Sequence, residues 1–183
     1  MTACVSLFRG INVGGNRLVK MADLKAMHEI LGLKNVTTYI QSGNVIFTTE
    51  DTNTVRLQKE IENAFEEKFG FHSHTLVRSA LDLQEIVAKN PFQGQDDKEA
   101  KWIVVVFLAN QPDTVAQESL LQSYSGPEQI FILGREMYIY YPEGMGRSKL
   151  TNTLLEKKLR TVGTARNWNT VLTLQEAVVS LSS

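Results

Sequence analysis

The chain has 183 residues, 43% hydrophobic and 21% charged, enough to bury a full core as one domain or as two small, closely packed ones. Nineteen basic residues against twenty acidic leave a net charge of -1, so no global field draws the protein to DNA, RNA or an anionic membrane, and any nucleic-acid binding must rest on a local patch. The single cysteine, Cys4, excludes an internal disulfide; with no signal peptide or long apolar span, the expected setting is the cytoplasm, with no membrane partner.

The apolar run from Ala3 to Phe8 predicts a strand over about residues 3–9. A helix follows over about 21–32, where Met21, Leu24, Met27, His28, Ile30 and Leu31 share one face and Gly32 is a plausible stop. Val36 to Gln41 and Val45 to Thr49 flank a tight Ser42-Gly43 turn and read as a hairpin. A helix over about 55–69 turns Val55, Leu57, Ile61, Ala64, Phe65 and Phe69 inward, and a strand from His74 to Arg78 closes the set. The order is β-α-β-β-α-β, the split βαβ unit.

After a helix at Leu81 to Lys89 and a polar stretch from Pro91 to Ala100, the order begins again. Trp102 to Leu108 is β-branched, Val115 to Gln122 helical, and Gln129 to Leu133 with Met137 to Tyr141 a second hairpin around Gly134-Arg135. A helix at Leu150 to Arg160, a short strand near Thr164 to Asn167 and a closing helix from Thr170 to Ser180 complete it. Leu83-Gln84-Glu85-Ile86-Val87 in one half echoes Leu174-Gln175-Glu176-Ala177-Val178 in the other, which supports an internal duplication. We therefore expect an α+β fold of two β-α-β-β-α-β halves with antiparallel sheets. The first α+β subdomain spans residues 1–90 and the second 91–183, with the boundary between about 79 and 101.

Topology then decides which loops are neighbours. The first two strands of such a unit run parallel with the third between them, so Arg9 to Asn16 lies at the same sheet edge as Gln41 to Asn44. The third and fourth strands are likewise parallel, which brings Gly144 to Lys149 beside Arg166 to Thr170. In the first loop Gly10, Gly14 and Gly15 permit close backbone approach, while Arg9, Asn12, Ser42 and Asn44 offer polar groups. The glycine spacing is not that of a dinucleotide fingerprint, and turn chemistry that shapes a long connection is the favoured account of the loop over a binding role.

In the second half, Gly144 and Gly146 lead to Arg147-Ser148-Lys149 just before a helix, where backbone N–H groups, a hydroxyl and two cations can converge on a phosphate or carboxylate. The competing reading makes Ser148 an N-cap with solvated cations on either side. Arg166 supplies a third cation, Asn167 and Asn169 orienting amides, and Trp168 reads as core. His28, His72 and His74 have no Cys, Asp or Glu spacing that completes a metal site, so no metal is expected, and Cys4 reads as a small buried hydrophobe.

Phe8-Arg9-Gly10-Ile11-Asn12-Val13-Gly14-Gly15, Tyr39-Ile40-Gln41-Ser42-Gly43-Asn44-Val45, Arg147-Ser148-Lys149 and Thr164-Ala165-Arg166-Asn167-Trp168-Asn169-Thr170 together resemble the signatures of the bacterial family catalogued as domain of unknown function 1697. The resemblance implies a two-part α+β fold related to the ferredoxin-like arrangement and a cytoplasmic bacterial protein. It brings no activity, substrate, cofactor or catalytic residue with it. Its signatures coincide with the polar loops, where scaffolds carry function.

Three functions compete. The leading one is binding of a small anionic ligand, phosphorylated or nucleotide-like, with turnover left open and no cofactor identified. The second is a single-stranded nucleic-acid module, with Tyr138 to Tyr141 the nearest stacking candidate in a chain that lacks a basic excess. The third is a protein-interaction domain using a free sheet face or edge.

Overall fold

The structure, a computed structural model, describes every residue except Gln41, so that end of the predicted first hairpin turn lies outside the described residues. In chain order the first half contains β1 (Thr2–Phe8), α1 (Met21–Ile30), β2 (Lys34–Tyr39), β3 (Asn44–Thr49), α2 (Thr54–Phe69), β4 (Thr75–Ser79) and α3 (Ala80–Ala88). The second contains β5 (Ile103–Leu108), α4 (Thr114–Ser123), β6 (Gln129–Leu133), β7 (Glu136–Tyr140), α5 (Asn152–Leu159), β8 (Gly163–Asn167) and α6 (Trp168–Ser182). Each half forms a four-stranded antiparallel sheet, ordered β2-β3-β1-β4 and β6-β7-β5-β8, as the ferredoxin-like reading requires. Two compact units result, Met1–Glu85 with Thr173–Ser183, and Ile86–Leu172.

In the first unit, Cys4 and Phe8 of β1, Val45 and Phe47 of β3 and Val77 of β4 pack with Leu24 and Met27 of α1 and Leu57, Ile61 and Phe65 of α2. In the second, Val104, Val106 and Leu108 of β5 and Met137 and Ile139 of β7 pack with Leu120 of α4 and Leu155 and Leu159 of α5. All of β3 and β5, and β1 beyond Thr2, is buried. Continuous apolar runs rather than polar-apolar alternation are the sequence counterpart of a strand covered on both faces. These central strands therefore leave no free sheet face for a partner.

Local signals set the helix ends. Asn53 accepts from the Arg56 N–H at 3.0 Å and Asp113 from the Ala116 N–H at 2.7 Å, side-chain caps that supply orphan donors of α2 and α4. At α3, Ser79 and Asp82 bond each other's backbone N–H reciprocally, at 3.2 and 2.8 Å. One predicted boundary moves. The helix expected from Leu150 starts at Asn152, because Thr151 accepts from the Leu154 N–H at 3.2 Å and takes the cap. Ser148 is thus not an N-cap, and Met145–Arg147 is instead a short 3-10 turn.

The duplication holds in topology, yet the five-residue echo is out of register. Val5 of β1 stands opposite Arg78 of β4, and Val105 of β5 stands opposite Arg166 of β8. Counting from these matched arginines, the counterpart of Leu83 is Val171, not Leu174; all three are fully buried. Helical periodicity puts apolar residues at both positions, so the echo reflects a shared inward stripe rather than a shared site.

Candidate functional site

The first unit gathers its predicted loops at one sheet edge. The Phe8 N–H donates to the Gly43 carbonyl at 2.9 Å, so the loop after β1 and the β2–β3 turn are adjacent. Backbone in the left-handed region is concentrated here, at Gly10, Asn12, Gly14, Gly15, Arg17, Ile40 and Gly43. Asn12 is engaged with the loop itself: its amide donates to the Val19 carbonyl at 3.0 Å and accepts from the Val19 N–H at 2.7 Å. Asn44 is fully buried and donates to the Tyr39 carbonyl at 2.9 Å and to the Ser42 hydroxyl at 3.1 Å. Both amides shape the turns. The exposed tip is Val13 to Leu18, which includes Gly14 and Gly15. A cavity of about 330 Å³ in this unit lies at the other end of the sheet, lined by Leu31 to Lys34 and Thr48 to Asp51, away from the Gly10 loop.

Gly43 and Gly10 both have positive φ, 85° and 70°, but a Cβ on Gly43 would sit 2.6 Å from Ile11 Cδ1, whereas none of the described atoms lies within 4 Å of one on Gly10. Gly10→Ala should therefore cost about 1–2 kcal/mol from backbone strain alone, and Gly43→Ala about 1–3 kcal/mol more from overpacking. Urea denaturation of the two variants reads the difference, and equal losses would show that Ile11 yields without penalty.

The strand β4 begins at this same edge because it runs antiparallel to β1. The Arg9 N–H donates to the His74 carbonyl at 2.9 Å, the Ser73 hydroxyl donates to the Arg9 carbonyl at 2.8 Å, and the Arg17 guanidinium lies 5.6 Å from the Phe71 ring centroid. His72 and His74 thus flank the polar loop. With Glu62 of α2 they make up the one group of potential metal donors found among the described residues.

In the second unit the predicted residues separate into two cavities. Arg147, Ser148 and Lys149 line a cleft of about 490 Å³ with Tyr124, Glu128 and Glu143. Arg166 and Asn167 line a smaller one of about 160 Å³ with Trp102 and Met145. In the larger cleft the Ser148 hydroxyl donates to Glu128 Oε1 at 2.5 Å, and Tyr124 donates to the other Glu128 oxygen. Burial alone would raise the Glu128 pKa, but these hydrogen bonds together outweigh it and hold the carboxyl below its ordinary value. Burial and the Glu128 contact raise the Tyr124 phenol, which stays protonated. The cleft therefore presents two exposed cations beside an ionised, hydroxyl-bonded carboxylate.

Arg166 does not have the exposed setting expected of it. It is 6% exposed, and its Nη1 donates to Thr164 Oγ1 at 2.7 Å and to the Ala165 carbonyl at 2.9 Å. Burial lowers its pKa to about 10, which leaves the guanidinium charged at neutral pH. Asn167 caps α6, accepting from the Asn169 N–H at 3.0 Å and donating to the Lys101 carbonyl at 2.9 Å. Asn169 is exposed in the first turn of that helix, and Trp168 is core, as its sequence context suggested.

The family described as Protein of unknown function (DUF1697) matches residues 1–138, three quarters of the chain and all of the Gly10 and Gly43 signatures. The chain belongs to that family. It is also similar to a solved structure, that of a conserved bacterial protein from Streptococcus pneumoniae, at 23% identity over 97% of this chain and 98% of that one, with a TM-score of 0.77. At that identity the likeness shows the fold alone. No curated protein matches. The family is one of unknown function, so the chemistry must be read from the geometry. No helix among the described residues is long and apolar enough to cross a membrane.

Three features of the edges escape a reading by short motifs. Glu128 and Tyr124 enter the second-unit cleft from the turn before β6, remote in sequence from Ser148. Arg78 is fully buried and matches Arg166 in register, its Nη1 reaching the Val77 carbonyl at 3.2 Å as Arg166 reaches that of Ala165. Glu62 lies on a helix whose acidic residues look like a solvated face. Aligning the two halves strand by strand would have exposed the arginine pair, since each is a cation within a buried strand.

Proposed function

We propose that the protein binds a small anionic molecule, phosphorylated or nucleotide-like, in the second-unit cleft. The observation that supports this reading is the convergence of Arg147, Ser148, Lys149 and Tyr124 on one cavity of about 490 Å³, within the range of about 300–1,000 Å³ usual for ligand pockets. Arg147 can fork onto two anion oxygens and Lys149 adds a point charge. Glu128 and Glu143 sharpen the selection. A bare polyanion meets two carboxylates there, so a ligand carrying a hydroxyl or amine beside its anionic group fits better. The helix-terminus contribution expected at Ser148 is absent, because α5 begins beyond it.

The nucleic-acid alternative loses its stacking platform. Tyr138, Tyr140 and Tyr141 are all buried, and the Tyr138 hydroxyl donates to the Ile86 carbonyl at 2.6 Å. A thermal-shift screen of nucleotides, sugar phosphates and a short RNA tests the choice. A metabolite should raise the wild-type melting temperature, by the equivalent of about 2.7 kcal/mol at a hundred times its Kd. Arg147→Ala/Lys149→Ala should lose that shift while melting normally without ligand, since exposed substitutions usually change stability by less than about 0.5 kcal/mol each. If only RNA shifts the melt, with steep salt dependence, the ranking reverses.

A further inference from the structure

We propose that Glu62, His72 and His74 form a divalent transition-metal site, with zinc as the ion whose geometry fits. Glu62 projects from α2; His72 and His74 stand two apart on the extended segment leading into β4, where alternate side chains share a side. Glu62 Oε1 is 3.4 Å from His72 Nε2 and 3.2 Å from His74 Nδ1, and the two nitrogens are 3.4 Å apart. Those three distances describe one face of a tetrahedron. For metal–ligand bonds of about 2.0–2.1 Å the tetrahedral edge is about 3.3–3.4 Å, whereas an octahedral edge would be about 2.8–3.0 Å.

The surrounding bonds fit the same assignment. His72 Nδ1 lies 3.2 Å from Glu66 Oε2, the carboxylate–histidine support usual behind a metal-bound imidazole. Glu62 Oε1 also accepts from the Thr75 N–H at 3.3 Å, which ties the donor to β4. A metal ion satisfies the whole cluster with neutral imidazoles: His72 gives its Nε2 lone pair to the ion and its Nδ1 proton to Glu66, and His74 gives its Nδ1 lone pair. Two imidazoles and one carboxylate favour zinc or a neighbouring first-row ion over magnesium or calcium. Both histidine side chains are 46% exposed, so solvent or an anionic group of a ligand can take the fourth position. The site does not depend on the proposed anion cleft, whose residues belong to the other unit.

Chelator-stripped full-length protein titrated calorimetrically with zinc chloride should take up one ion per chain, and cobalt in its place should give the intense visible bands of a tetrahedral ion. His72→Ala, His74→Ala and Glu62→Gln should each weaken zinc binding by at least about tenfold, and Glu66→Gln by about 10–100-fold. Circular dichroism confirms that each variant is folded; Glu62→Gln keeps an acceptor for the Thr75 N–H. A full equivalent of zinc retained by His72→Ala/His74→Ala overturns the site, as does wild-type protein that takes up no first equivalent or an octahedral cobalt spectrum.

Discussion

Acidification from pH 6.5 to about 4 is expected to remove about 3 kcal/mol of stability through His28 alone. His28 is fully buried in the first-unit core, where Ser6 Oγ lies 2.8 Å from Nε2, the Leu24 carbonyl 2.8 Å from Nδ1, and the Phe8 and Phe47 rings pack against it. Desolvation lowers its pKa from 6.5 to about 4, against a smaller opposing effect of the Leu24 carbonyl. Between those values the unfolded chain binds the proton and the folded one does not, so stability rises with pH across the window and falls as pH drops through it. Urea denaturation at several pH values measures the slope in wild type and in His28→Gln. The variant should be less stable near neutrality and flatter across the window, because carboxylate titration is common to both proteins. Parallel slopes would mean that the folded core accommodates the imidazolium.

The fold was legible because each strand and helix carries its own period. Val55, Leu57, Ile61 and Phe65 fix α2 as amphipathic, although Val55 proves exposed at the helix start, where the inward stripe has not yet reached the sheet. The runs at Ala3–Phe8 and Ile103–Leu108 fix the central strands, and the order of elements then restricts the topology to a few arrangements. The start of α5 was less legible. Apolar periodicity extends to Leu150, but that residue is buried in the second-unit core from the loop before the helix, and only the competition between Ser148 and Thr151 for the cap decides the boundary.

The sites were legible as edges and not as constellations. Sequence order correctly brought the Gly10 loop to the Gly43 turn, since antiparallel pairing requires it. It could not show that Asn12 and Asn44 are consumed by turn bonds, or that the 144–149 loop directs its cations toward Tyr124 and Glu128 while Arg166 lines a separate cavity. Those outcomes depend on side-chain direction, which motif spacing does not encode. The histidine cluster shows the same limit. Its third donor comes from a helix facing β4, so no local metal signature exists in the chain, and only the packing of α2 against β4 brings Glu62 to the two imidazoles.

Arg166→Ala is expected to destabilise the protein by about 3 kcal/mol or more, in contrast with Arg147→Ala at less than about 0.5 kcal/mol. Both are arginines of the second unit, but Arg147 is exposed beside a cleft and Arg166 is buried on a strand. Truncating Arg166 removes its bonds to Thr164 Oγ1 and the Ala165 carbonyl and opens a cavity where the aliphatic stem was. Arg78→Ala should behave alike, because it occupies the matching register position and is fully buried. Arg166→Met separates packing from charge. A buried ionic group replaced by an apolar one of similar length can be tolerated, since the desolvation penalty disappears with the charge. If methionine restores most of what alanine loses, the arginine stem is chiefly a packing element; if it does not, the guanidinium bonds to the Thr164 side chain and the strand backbone hold this part of the sheet. Chemical denaturation of the four variants decides, and an Arg166→Ala loss as small as that of Arg147→Ala would show that the buried guanidinium contributes nothing to the fold.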